Sequence, residues 1–133
     1  MNRFSGKISK IEVNGSLSLV TVAASERITI KTIIIETPET AAYLKIGNTI
    51  QVLFKETEVV LGLNQKHAIS LQNRINGTII QIEKGALLSK VVIDTEIGSL
   101  VSVVSTEAIK ELNLKENQEV IAMIKLNEIM LSE

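Results

Sequence analysis

The sequence predicts an all-β protein with short helices, built as two tandem five-stranded barrel modules. Three observations carry that expectation. The chain repeats its opening: residues 2–12 read Asn-Arg-Phe-Ser-Gly-Lys-Ile-Ser-Lys-Ile-Glu, and residues 73–83 read Asn-Arg-Ile-Asn-Gly-Thr-Ile-Ile-Gln-Ile-Glu. The halves also end alike: residues 50–61 align with 120–131, sharing Lys55 with Lys125, Glu58 with Glu128 and Leu61 with Leu131. Finally, 45% of residues are apolar, mostly Ile, Leu and Val, and only 2% are aromatic, a composition that suits aliphatic strands. The repeat offset is 71 at the start (2 to 73) and 70 at the end (50 to 120), so one residue was gained or lost between.

A repeat of this length is a whole small module rather than a solenoid unit. The expected division is 1–66 and 67–133. A domain of about 60 residues buries only ~60% of its unfolded surface and is marginal alone. The halves are therefore expected to share a core or to complete one another in an oligomer, with ligands held between modules.

In the first half, a strand runs from about Arg3 to Val13. Asn14-Gly15 is a hairpin signal, and Ser16 to Ala23 alternates as the return strand. Ile28 to Ile35 forms a third apolar run. Thr37, a fitting N-cap, and Pro38, favoured at a first helical position, predict a short helix over Pro38–Leu44. Gly47-Asn48 turns the chain into a strand from Thr49 to Lys55, and a last strand covers Glu58 to Leu63. The second half repeats the plan, with strands near 75–82, 87–94, 100–104, 119–125 and 129–131. Lys84-Gly85 replaces the Asn-Gly turn, and Ser105 or Thr106 caps a helix over Glu107–Leu112. Between the halves, Ala68 to Leu71 either continues the first sheet or begins the second. Five short strands with one brief helix after the third indicate a partly open barrel of the OB type.

Composition narrows the function. There is no Cys, so disulfides and thiolate metal sites are excluded. The net charge is −1 and the pI about 5.9, which argues against nucleic acid. Phe4, Tyr43 and Phe54 are too few for a single-strand stacking platform. Every apolar run is too short to span a bilayer. No basic-then-apolar leader opens the chain. The expectation is a cytoplasmic protein with no membrane or nucleic-acid partner.

No nucleophile–base pair is visible, and the single histidine, His67, falls in the linker, so an enzyme is not expected. The carboxylates show no metal-ligand spacing, and Gly15 and Gly85 read most simply as turn residues. One cation recurs: Lys55 and Lys125 hold the same place at the end of the penultimate strand of each half. A lysine there also guards a strand edge. Ser70, Gln72 and Asn73 precede the second module, and Ser105-Thr106 stands at a helix start. Lysine, hydroxyl, amide and backbone N–H donors suit a tetrahedral dianion, which needs oriented donors rather than a broadly basic surface.

Ser70-Leu71-Gln72-Asn73-Arg74-Ile75-Asn76-Gly77 resembles the Ser-Ala-Arg-Asn-x-x-x-Gly opening of molybdate-binding Mop modules, also called TOBE domains. The similarity continues through Glu83-Lys84-Gly85-Ala86, residues 105–112, 120–125 and 128–131, and extends more weakly over 2–63. The whole chain resembles a tandem, molbindin-type protein. That resemblance implies OB-like modules that exchange strands, oxyanions held between modules, and a homo-oligomer, a trimer mimicking a hexamer of single modules. It places the oxyanion-binding donors at Ser70, Asn73, Ser105 and Lys125, with Gln72 where the family has Arg, and by internal repeat at Lys55. The resemblance implies molybdate or tungstate as ligand and no further cofactor. Module one lacks the Ser-Ala-Arg segment, has Glu56 after its lysine, and sets Ile35 or Glu36 opposite Ser105 or Thr106. It is therefore expected to contribute fewer ligands.

The functional expectation is oxyanion storage and homeostasis in the cytoplasm. The rivals are an oligomerising or partner-docking scaffold that has lost oxyanion sites, a molybdate-sensing regulatory module, and an OB-type nucleic-acid binder. Gln72 and Glu56 favour the scaffold; charge and aromatic content disfavour the last.

Overall fold

A computed structural model describes residues 1–63 and 68–133. The expected boundary at 66/67 and His67 lie outside the described residues. Ten strands and one helix follow in order: β1 (Asn2–Asn14), β2 (Leu17–Ala23), β3 (Thr29–Ile34), β4 (Thr49–Phe54), β5 (Val60–Leu63), β6 (Asn73–Lys84), β7 (Leu88–Thr95), β8 (Gly98–Ser105), α1 (Thr106–Glu111), β9 (Glu119–Ile124) and β10 (Met130–Ser132). Two 3-10 turns, Glu56–Glu58 and Leu126–Glu128, precede β5 and β10.

The strands form two five-stranded antiparallel sheets, ordered β10-β4-β1-β2-β3 and β5-β9-β6-β7-β8. Each sheet therefore contains one strand from the other half of the sequence. Met130 pairs with Leu53, and Val60 pairs with Met123. Neither half contains its whole sheet, and the buried apolar residues of both form one cluster.

The repeat explains the strand geometry. β1 pairs with β4 over Asn2–Lys7 and with β2 from Lys7 to Asn14, with a register shift between Ile8 and Lys10. β6 does the same with β9 and β7, its shift falling between Ile79 and Gln81. Such a bulge bends a strand and strengthens its twist, so one long strand can serve two neighbours. Gly6 and Gly77 sit where the partner changes. A Cβ at Gly6 would lie 2.6 Å from Val22 Cγ1 and 2.7 Å from the Ala23 oxygen, and at Gly77 it would lie 2.7 Å from the Asp94 oxygen. Only glycine permits that approach.

Core positions correspond across the repeat: Ile8 with Ile79, Val20 with Val91, Ile30 with Leu100 and Ile50 with Val120, all buried. The correspondence runs at offset 71 through β2 and β7, and at 70 from β3 and β8 onward. The single-residue difference thus lies in the loops between those strands, around 24–28 and 96–97. Phe4 and Phe54 stack at 5.8 Å; Ile75 and Ile124 fill the equivalent places.

Three expectations are corrected. Residues 38–44 form turns, not a helix. Ala41 N–H donates to the Thr37 oxygen at 2.8 Å, but Thr37 does not cap. Instead the Thr40 hydroxyl takes the Thr37 N–H and donates to the Thr37 carbonyl, while the Asn48 amide takes the Tyr43 carbonyl at 3.0 Å. These local bonds compete with helix propagation. In the second half the Ser105 hydroxyl does cap, accepting from Ala108 N–H at 3.0 Å, and α1 forms. Second, residues 68–71 join neither sheet. Third, the final strands start later than expected, because Glu58 belongs to the first 3-10 turn and Val59 and Ile129 cap the two turns.

Candidate functional site

Lys125 follows β9 and caps the start of the second 3-10 turn; its carbonyl accepts from Glu128 N–H at 3.0 Å. Its side chain is exposed. Asn73 pairs with Ile124, so the next residues outward are Gln72 and Lys125, with Ser70 two residues further. Gln72 and Ser70 are exposed, and Asn73 is buried. The Asn73 Oδ1 accepts from Lys31 N–H at 2.7 Å, and its Nδ2 donates to the Lys31 carbonyl at 2.8 Å. One amide thus reads both backbone groups of a residue on β3, in the other half. The adjacent Thr32 hydroxyl reaches the Ile129 oxygen at 2.7 Å and the Leu126 oxygen at 3.2 Å, flanking the Lys125 turn.

The same corner recurs around Lys55. Asn2 pairs with Phe54. Its Nδ2 donates to the Val101 carbonyl and its Oδ1 accepts from Val101 N–H, both at 2.8 Å. Ser102, next on β8, donates to the Val59 oxygen at 2.9 Å. Met1 occupies the place of Gln72, and its ammonium lies 2.6 Å from Glu56. That hydrogen bond holds the Glu56 carboxyl below its ordinary value. Glu56 is thereby neutralised by a neighbour.

The six residues singled out from the sequence do not converge within one chain. Ser70, Gln72, Asn73 and Lys125 gather at one corner. Ser105 stands three residues past Ser102 on β8, the strand packed on the Lys55 turn. An odd step along a strand turns the side chain to the other face, so Ser105 points away from the Lys55 turn that Ser102 touches and into a separate cleft.

Ser105 and Thr106 line a cleft of about 380 Å³ with Ala86, Leu87, Glu107 and Lys110. Thr106 is buried and bonds the Ser89 hydroxyl at 2.7 Å and the Gly85 carbonyl at 2.9 Å, leaving Ser105 and Lys110 as the exposed polar groups besides Glu107. The counterpart in the first half is lined by Gly15, Ser16, Ile35, Glu36, Thr37 and Glu39 among others. There Glu36 accepts from the Tyr43 hydroxyl at 2.5 Å. Burial, then that carboxylate, push the phenol well above its ordinary value. Ile35 and Thr40 stand where Ser105 and Lys110 do, and the cleft carries two carboxylates and no cation, so it repels a dianion. A third cleft, of about 430 Å³, carries Asp94, Glu96 and Glu119 and repels one too.

Asn2, Thr32 and Ser102 escaped the sequence reading. Asn2 was in view as the repeat of Asn73, and Thr32 and Ser102 correspond at offset 70 as polar residues within apolar strands. Among the described residues, no group of three His, Cys, Asp or Glu side chains is placed to hold a metal ion, and no helix is long and apolar enough to cross a membrane.

These features define a duplicated module of small antiparallel sheets whose two lysine corners are held from opposite halves. Comparison with known proteins agrees. The TOBE domain model matches residues 69–131. Molybdenum-pterin-binding protein 1 of Clostridium pasteurianum is 31% identical over 65 residues, 48% of this chain and 96% of that protein. A probable molybdenum-pterin-binding protein of Haemophilus influenzae is 40% identical over 63 residues, 47% of this chain and 91% of its own length. The molybdenum transport protein ModE of Herbaspirillum seropedicae is 29% identical over 98% of this chain, which spans about half (49%) of that protein. The crystal structure of the cytoplasmic molybdate-binding protein ModG, with molybdate bound, superimposes with a TM-score of 0.90 at 24% identity, covering 98% of this chain and 94% of that one. The chain belongs to the TOBE-domain family of molybdenum-pterin-binding (Mop) proteins, as a tandem, molbindin-type member.

Proposed function

We propose that this chain is a non-enzymatic cytoplasmic protein that binds molybdate or tungstate for storage and homeostasis. The Lys125 corner carries the reading. An exposed ammonium, a hydroxyl at Ser70 and an amide at Gln72 stand where two strands leave their ladder, on a backbone fixed by Asn73. Asn73 adds its remaining amide hydrogen. Ser105 adds its hydroxyl, and Lys55 stands at an equivalent or second site. Sulfate is rejected mainly by size, since all three anions are tetrahedral dianions.

Each corner holds only part of the donor set, so further copies of the chain complete it in a homo-oligomer, with a trimer favoured. Exposed apolar residues such as Ile35 (80% exposed) and Leu87 (82%) support association. The division of labour follows the two sequence modules, 1–66 and 67–133.

Titration calorimetry with molybdate, tungstate and sulfate in turn tests the proposal. Tight binding of the first two without sulfate is expected, weakened at least tenfold by Lys125→Ala. Unchanged binding in that variant refutes the site assignment. Failure of every oxyanion to bind, with the oligomer intact, favours an oligomerising or partner-docking scaffold, the reading for which Gln72 in place of Arg speaks.

A further inference from the structure

We propose that Thr32 is a positioning residue for the oxyanion-binding lysine of the opposite half, Lys125, and that Ser102 plays the same part for Lys55. This rests on the reading of the lysine corners as oxyanion sites. Thr32 and Ser102 are fully buried hydroxyls, each 0% exposed, inside strands that are otherwise apolar on that face. Neither serves its own half. The Thr32 hydroxyl lies within hydrogen-bond distance of two carbonyls, that of Leu126, the first residue of the 3-10 turn after Lys125, and that of Ile129, just past its end. The Ser102 hydroxyl reaches one, that of Val59, at the end of the turn that starts at Lys55.

The turns cannot fix the lysines alone. Each is a single turn without side-chain capping at its lysine, and one isolated turn is a weak structure. The partner strand supplies the missing constraint. The amide of Asn73 holds the backbone of Lys31, and Thr32, one residue on, holds the turn. β3 is thus tied on both sides of Lys125. β8 is tied around Lys55 by Asn2 and Ser102 in the same way. A side chain whose backbone is so braced presents its charge at a defined place, as a precise ligand site requires. The wiring is crossed: half one sets the lysine of half two, and half two sets the lysine of half one. It is also unequal in reach: the single Thr32 proton lies between two carbonyls at the Lys125 turn, with Ile129 the nearer, whereas Ser102 meets one carbonyl at the Lys55 turn.

The test is a double-mutant cycle on the full chain, read by titration calorimetry with molybdate and by thermal unfolding. Thr32→Val is expected to weaken molybdate binding by roughly five- to tenfold, the effect of losing a short hydrogen bond that orders the site, and Thr32→Ser to restore it. Thr32→Val combined with Lys125→Ala is expected to bind no more weakly than Lys125→Ala alone, whereas combined with Lys55→Ala the losses multiply. A merely structural role changes the melting temperature but shows no such pairing. Should Thr32→Val fail to fold, Thr32→Cys, a weaker donor, carries the same cycle. Losses that multiply with Lys125→Ala, or parental affinity in a folded Thr32→Val while Lys125→Ala weakens binding, overturn the positioning role and leave the site standing. Parental affinity in Lys125→Ala itself overturns the site, and the positioning role with it.

Discussion

Replacing Asn73 by alanine removes both hydrogen bonds to Lys31, of 2.7 and 2.8 Å, from a residue only 2% exposed. Lys31 lies on β3, at the edge of its sheet, and its outward N–H and carbonyl are the groups that Asn73 satisfies. Leaving a buried backbone group unpaired costs about 1–3 kcal/mol. Water admitted at a sheet edge recovers part of that, so the lower end applies to each group. The expected loss is about 2–3 kcal/mol. For a chain of this size, 1 kcal/mol corresponds to roughly 4 °C, so the melting temperature should fall by about 10 °C. Circular dichroism during heating and in urea measures it. Asn73→Asp discriminates further. It keeps the acceptor for Lys31 N–H but turns a carboxylate oxygen towards the Lys31 carbonyl. That repulsion raises the carboxyl above its unfolded value. The stability of this variant should therefore be greatest at acid pH and be lost as pH rises through the folded value. Asn2→Ala should match Asn73→Ala, since its two bonds to Val101 have the same geometry. An Asn73→Ala protein that melts within about 2 °C of the parent would refute the reasoning, because the paired amide would then contribute nothing.

Gly77→Ala should destabilise by about 2–4 kcal/mol, since its Cβ would lie 2.7 Å from a backbone oxygen on β7 and overpacking of that kind strains the backbone; urea unfolding measures it, and a neutral result refutes the close-approach argument. The Tyr43 phenol should titrate well above the ordinary tyrosine value, because burial and the Glu36 carboxylate both raise it; ultraviolet difference titration checks this. The stability it contributes is present below that ordinary value and lost as pH rises through the folded one, so Tyr43→Phe should flatten alkaline unfolding. Glu56 is depressed by the Met1 ammonium, so its contribution is present above the ordinary glutamate value and lost as pH falls through the lower folded value. Glu56→Gln should change stability near neutral pH by less than ~1 kcal/mol, the scale of an exposed ion pair.

The repeat made most of the fold legible. Glycines at 6 and 77, apolar alternation and the Asn-Gly turn placed the strands to within a few residues, because those signals are local. The first-half helix was misread because Thr37 and Pro38 satisfy the local rules for a helix start, while the decisive bonds come from Thr40 and Asn48. The membership of β5 and β10 in sheets of the opposite half could not be read from composition or periodicity. Each is a short apolar run that would pair equally well at home, and only the resemblance suggested otherwise. The candidate site was partly legible. The recurrence of Lys55 and Lys125 marked both corners, and Asn73 was noticed, though its side chain proves to brace β3. Thr32 and Ser102 carried no signal beyond being polar in an apolar strand. Their partners are carbonyls more than 40 residues away, which no local pattern announces.

The lengths of the repeat show which relations the duplication has kept. The one-residue difference falls in the loops between β2 and β3 and between β7 and β8, after the bracing asparagines of β1 and β6 and before the rest of each brace. Lys31 and Val101, Thr32 and Ser102, Lys55 and Lys125, and Val59 and Ile129 all stay at offset 70, while Asn2 and Asn73 stand at 71. The two braces therefore superimpose despite the insertion, because an asparagine from β1 or β6 meets an edge strand through space rather than along the chain. What has diverged surrounds the brace: Met1 and Glu56 against Gln72 and Leu126, and Ile35 and Glu36 against Ser105 and Thr106. The strands and the braces are duplicated, while the helix and the side chains around the corners are not. Because each brace starts in one half and ends in the other, neither lysine corner can be built by its own half alone, and a change in either half is felt at the corner of the other.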